Sequence, residues 1–118
     1  MSKIKAYICG PITDLPNLNI EEFRAVETLL IEMGYQATVP HDLFEGIDTS
    51  QFKHSDYMDV CLKELREGNY DYVIVLQGWK DSVGAKMEIA EADKLGITVK
   101  MAANELAQYA LKHAPPDL

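Results

Sequence analysis

Two short segments gather the residue types that can do chemistry. The first, Tyr7-Ile8-Cys9-Gly10-Pro11-Ile12-Thr13, carries a β-rich run into turn residues, and the second, Gly78 to Glu88, reads Gly-Trp-Lys-Asp-Ser-Val-Gly-Ala-Lys-Met-Glu. Ser82 at the start of a helix, with Gly84 behind it, supplies a hydroxyl, a backbone that a ligand can approach closely and free N–H groups, which together can seat a phosphate. Read alone, Ser82 is as readily a helix N-cap. Glu88 follows about one and a half turns later, near enough to the positive end of the helix dipole to favour its ionised form at neutral pH. An ionised carboxylate suits a nucleophile better than an acid. By residue type alone, a helical Glu is most often a solvated surface side chain, so the neighbours decide. Trp79 can stack on a planar ligand, and is at least as often a packing residue.

Other chemistries find no support. His41, His54 and His113 lack metal-like spacing with Cys or carboxylates, and neither GxGxxG nor GxxxxGK[ST] occurs, so no metal and no cofactor are expected. Cys9 and Cys61 lie far apart, outside any CxxC pair, and Met1 to Lys5 lead into a strand pattern instead of a signal core. A reduced, cytoplasmic setting is expected. The formal net charge of -8, with no run of Lys or Arg to interrupt it, argues against a nucleic-acid polymer as partner. A small anion remains possible, since backbone N–H groups at a helix start suffice for it. No apolar run approaches the ~20 residues of a membrane span, so no membrane is expected either.

The elements that must position these residues follow from periodicity. With 118 residues, 47% apolar and 25% charged, residues 1–118 are expected to form a single domain. Ile4 to Cys9 reads as a strand stopped by Gly10-Pro11. Asn19 and Glu22 suggest a capping box for a helix carrying Phe23, Val26, Leu29, Leu30 and Met33, closed by Gly34. Tyr35 to Val39 reads as a second strand, and the polar stretch from His41 to Lys53 is long enough for a functional lid. Ser55 or Asp56 is expected to cap a helix ending near Glu67, with Met58, Leu62 and Leu65 inside. Tyr72 to Leu76 has the continuous apolar character of a doubly covered parallel strand. A helix begun by Ser82, with Met87, Ala90 and Leu95 on its stripe, closes at Gly96. Ile97 to Val99 reads as the last strand and Asn104 to His113 as the last helix, with Pro115-Pro116 ending the ordered chain. This β-α alternation predicts an α/β flavodoxin-like three-layer sandwich with a mostly parallel sheet in the order 2-1-3-4. Ligands in such sheets bind beyond the strands' carboxyl ends at the point where the order reverses, which sets Gly10 to Leu18 against Gln77 to Glu88.

The Tyr-x-x-Gly-Pro-Ile pattern from Tyr7 to Ile12, followed by Gly-Trp-x-x-Ser-x-Gly-Ala-x-x-Glu from Gly78 to Glu88, resembles the nucleoside 2-deoxyribosyltransferase superfamily, in particular its small phage and bacterial members. Pro40 to Leu43 and Gly96-Ile97 extend the likeness over Ala6 to Val99. The resemblance implies that Glu88 is a nucleophile that attacks the anomeric carbon of a 2-deoxyribosyl group, and that Tyr7 orients the carboxylate or the sugar. It assigns Gly10, Pro11, Ile12, Ser82 and Gly84 to the substrate, with Trp79 beside them. The chemistry is coherent: cleaving an N-glycosidic bond creates an oxocarbenium-like centre that a carboxylate can capture as an ester, and water or a second base can resolve it.

Some positions depart from the pattern. Ser82 and Gly84 have the offsets from Glu88 found in deoxynucleoside-monophosphate N-hydrolases, whereas Pro11 and Thr13 stand where those hydrolases carry a phosphate-binding Ser and Arg, leaving the backbone, Lys80 or Lys86 to compensate. Cys61 occupies the place of an Asp in many relatives. Asp59, Asp56 and Asp81 are the candidates for an acid that protonates the leaving base, and Asp59 is nearest to that place in sequence. The implied partner is a small-molecule nucleoside or nucleotide, and the resemblance also implies a homodimer or larger assembly. The alternative is a non-catalytic nucleotide-binding or sensing module that uses the same crevice, and the blandest reading is an interaction protein that keeps only the fold.

Overall fold

The structure is a computed structural model and describes residues 3–113. Four strands and four helices alternate along the chain: β1 (Lys5–Cys9), α1 (Ile20–Glu32), β2 (Gln36–Thr38), α2 (His54–Glu67), β3 (Tyr72–Val75), α3 (Val83–Lys94), β4 (Thr98–Met101) and α4 (Ala102–Lys112). Short 3₁₀ turns at Pro16–Asn19, Pro40–Phe44 and Trp79–Asp81 punctuate the connections that follow β1, β2 and β3. All strand pairs are parallel and the order is β2-β1-β3-β4, so the fold is the flavodoxin-like α/β arrangement.

The strand pleat sorts the core into two layers. Successive side chains of a strand point to opposite faces. Ala6 and Ile8 of β1 and Ile74 of β3 therefore join Phe23, Val26 and Leu30 of α1 and Ala102 of α4. Tyr7 and Cys9, with Val73 and Val75, face the other way, onto Leu65 of α2 and Ala85 and Ala92 of α3. Each fully buried aliphatic residue in these layers contributes roughly 1.5–3 kcal/mol. The register pairs Tyr7 with Val73 and Cys9 with Val75.

All but β3 begin one residue later than the residue pattern suggests, and for β2 and β4 the reason is shared. Gly34 (φ 94°) and Gly96 (φ 73°) are left-handed helix ends, and the next residue's N–H turns back into the helix. Tyr35 N–H bonds to the Leu30 carbonyl at 2.9 Å, and Ile97 N–H to the Ala92 carbonyl at 2.9 Å. Each cap takes up one residue, so β2 starts at Gln36 and β4 at Thr98.

Two expected caps are also replaced. Asn19 is itself left-handed (φ 58°) and makes no cap; its side-chain amide donates to the Pro11 carbonyl at 3.0 Å instead, tying the first loop together. At α2 the boundary residue is Lys53, and Asp56 accepts its backbone N–H at 2.8 Å from inside the first turn.

The largest correction concerns α3. Met87 and Leu95 are exposed, as is Ala90, and the inward face carries Ala85, Glu88, Glu91 and Ala92. Two carboxylates stand where the hydrophobic stripe was expected. Pro115-Pro116 lies outside the described residues. No helix among the described residues is long and apolar enough to cross a membrane.

Candidate functional site

The carboxyl ends of β1 and β3 are joined where Leu76 N–H bonds to the Cys9 carbonyl at 2.8 Å. The chain leaves β1 through Gly10, where a Cβ atom would stand 2.8 Å from the Leu76 side chain, so only glycine lets the two strand exits lie this close. Beyond β3, Gly78 turns left-handed (φ 82°) and leads through the Trp79–Asp81 turn into α3. Ser82 caps α3, its hydroxyl oxygen accepting the Ala85 N–H at 3.1 Å. Gly84 serves helix packing as well as the crevice: a Cβ there would lie 3.1 Å from Met58 Sδ and 3.5 Å from His54 Nε2, so its absence brings α3 close to α2.

Glu88 lies one turn beyond Ala85 on the inward face of α3 and is only 4% exposed. Tyr7, pointing from β1 to the same layer, donates its hydroxyl proton to Glu88 Oε2. Cys9 is next to this pair, its thiol donating to the Ala85 carbonyl at 3.5 Å. Burial pushes the Glu88 carboxyl up to about 7, and the hydrogen bond from Tyr7 and the nearby Cys9 thiol pull it part of the way back. The helix dipole was expected to keep Glu88 simply ionised. Desolvation outweighs that effect, so near neutral pH both protonation states are populated.

The surrounding groups hold their protons. Burial and the Glu88 charge raise the Tyr7 phenol well above its ordinary value, which keeps it a donor. Burial, with Glu88 beside it, pushes the Cys61 thiol up to about 12, so it is no thiolate at neutral pH. Tyr7 also packs edge-to-face on Tyr70, with ring centroids 5.5 Å apart, which fixes the direction of its hydroxyl.

Glu88 opens into a crevice of about 830 Å³ at the strands' carboxyl ends. Of the residues singled out in the sequence, Gly10, Pro11, Ile12, Ser82, Gly84 and Glu88 line it together, and Tyr7 stands behind Glu88. Two others do not. Asp59 is exposed on α2 outside the wall, and Trp79 packs onto the layer of Tyr7, Cys9 and Val75. Asp56 is likewise absent from the wall, while Asp81 belongs to it.

Residues that the sequence did not assign to the crevice complete the enclosure. Asp14, His41, Phe44, Thr49, His54 and Tyr57 all contribute to the wall. Phe44 and Tyr57 form an aromatic trio with Phe52, with centroids 5.1 to 6.3 Å apart, that staples both ends of the loop between β2 and α2. This is the stretch marked in the sequence as a lid. The signal for its role was three aromatics bracketing an otherwise polar segment. The opposite loop is held in left-handed backbone at Asp14, Asn17, Leu18 and Asn19 (φ 49° to 66°), and His41 Nε2 lies 2.8 Å from the Leu18 carbonyl. Such strain in residues other than glycine persists only where the surroundings impose it.

A family model described as Domain of unknown function (DUF4406) matches residues 4–101, and the chain belongs to that family. The curated proteins contain no match to the chain.

Proposed function

We propose that this member of the family cleaves the N-glycosidic bond of a 2'-deoxynucleoside or its 5'-monophosphate through a covalent ester on Glu88. One observation carries the reading: a buried carboxyl, hydrogen-bonded by an inward-pointing Tyr7, faces a crevice large enough for a nucleoside at the sheet's switch point. The likeness of Tyr7 to Ile12 and of Gly78 to Glu88 to the nucleoside 2-deoxyribosyltransferase superfamily supports it.

With Tyr7 bound to Oε2, the remaining Glu88 oxygen attacks the anomeric carbon. The carbon–nitrogen bond breaks, its electron pair leaves with the base, and the base takes up a proton. That proton comes from solvent in the open crevice, and of the three carboxyl groups considered from sequence Asp81 is the one on the crevice wall. Water or a second base then attacks the same carbon and returns Glu88 as a carboxylate. Attack requires the ionised form, so activity should rise with pH through about 7.

The test is to incubate the protein with deoxynucleosides and their 5'-monophosphates and follow free base by chromatography. Base release is expected and should disappear in Glu88→Ala. Tyr7→Phe removes a bond that lowers the Glu88 pKa, so its rate should fall and its pH profile should move to higher pH. No base release from any substrate, with Glu88→Ala indistinguishable from the parent, would sink the proposal. Adding a second base separates transfer, which yields a new nucleoside, from hydrolysis.

A second reading, a non-catalytic nucleotide-binding module, draws on Cys61. Its protonated thiol sits on the crevice wall, at the place where the resemblance to the nucleoside 2-deoxyribosyltransferase superfamily implies an Asp in many members. Calorimetric binding of a nucleotide without turnover, unchanged in Glu88→Gln, would favour it.

A further inference from the structure

We infer that the crevice selects neutral deoxynucleosides and rejects their 5'-monophosphates, because the charge built into its wall is negative and the chain's strong phosphate ligands are committed elsewhere. The inference rests on the proposed reading of the crevice as a nucleoside site and decides between its two substrate classes.

The charged side chains on the wall are Asp14, Asp81 and Glu88. Among the described residues, no Lys or Arg lines the crevice. A phosphate monoester near neutral pH carries close to two negative charges and is usually met by Arg forks, Lys or a metal ion. The chain has two arginines, and both are engaged. Arg24 forks onto Asp42 at 2.8 and 2.5 Å, and Arg66 places two nitrogens on Glu91 Oε1 at 2.9 and 2.6 Å. Lys80 and Lys86, which the sequence offered as substitutes, also fail to reach the wall: Lys80 Nζ lies 5.8 Å from the Trp79 ring centroid, and Lys86 is exposed.

The helix start that looked like a phosphate seat is used in part from within. Ser82 Oγ accepts the Ala85 N–H, which removes one donor of the first turn, and Asp81 sets a carboxylate just ahead of that turn of α3, where the dipole would otherwise favour an incoming anion. The two imidazole rings on the wall are those of His41 and His54. What the wall offers in quantity is apolar and aromatic surface, with Pro40, Phe44, Tyr57 and Val83, together with the hydroxyls of Thr13 and Thr49. That combination suits a base and an uncharged sugar.

Calorimetric titration with deoxyadenosine and deoxycytidine, and with their 5'-monophosphates, tests the inference in the wild-type protein. Each nucleoside is expected to bind at least about tenfold more tightly than its monophosphate, with the gap narrowing at higher salt and in the double variant Asp14→Asn/Asp81→Asn. Equal or tighter binding of the monophosphates, a gap that neither salt nor the double variant changes, or no binding of either class would overturn it. Base release measured in the same samples reports separately on the reaction. Selective nucleoside binding without Glu88-dependent base release would leave the charge selection standing and remove the glycosidic mechanism.

Discussion

A carboxyl held at about 7 inside a protein acts on folding as well as on chemistry. The Glu88 pKa is raised from its ordinary 4.5, so the folded state binds this proton more tightly than the unfolded chain does. At pH below about 4.5 the residue is neutral in both states and costs nothing. As pH rises from there to about 7 the unfolded state gains by ionising first, and above 7 the folded state carries the full penalty, about 3 kcal/mol. Glu88→Gln should therefore stabilise the protein by that order at pH 8 and hardly at all near pH 4.5, as read from denaturant melts at the two values. Equal effects at both would show that Glu88 is not desolvated as described. The position of Glu88 was legible from the motif around it, but its protonation was not. The dipole argument uses one helix, and the burial that outweighs it comes from β1 and α2, which are distant in sequence.

The same inward turn explains why α3 was read with the wrong face to the core. Periodicity finds helix faces by counting apolar residues, and in α3 the apolar Met87, Ala90 and Leu95 point outward while Glu88 and Glu91 point inward. Glu91 can be buried because Arg66 of α2 reaches it with two nitrogens, and that pair also ties α2 to α3. Arg66→Ala should cost about 1–3 kcal/mol by leaving a mostly buried carboxylate without its partner. Adding Glu91→Leu should recover most of the loss, as thermal unfolding of the single and double variants will show. The other element boundaries were legible to within a residue or two. The consistent miss came from Gly34 and Gly96, whose caps draw the following residue back into the helix before the strand begins.

For the whole molecule, the alternation of strands and helices sufficed to predict the parallel sheet and its order. What it could not show was how the long loop after β2 encloses the crevice, since the packing of Phe44 and Phe52 on Tyr57 is tertiary. Net charge acts at this scale too. A chain of formal charge -8 repels itself when compact, so moderate sodium chloride should raise its melting temperature by a few degrees through screening. A melting temperature that falls with salt would mean that the surface ion pairs, such as Lys100 with Glu105, outweigh that repulsion.

The pairing of Tyr7 with Val73 in neighbouring strands has a consequence for how such a protein can change over generations. Tyr7 reaches Glu88 because of the sheet's register, and slipping β1 by one residue would turn Tyr7 to the opposite layer and expel Ile8 from its own. The floor of the crevice is thus set by the core, as are the parts of its wall on α2 and α3, whereas the parts from Pro11 to Leu18 and from Pro40 to Thr49 belong to connecting loops. Changes in those loops can therefore alter which ligand fits without disturbing the Tyr7 and Glu88 pair.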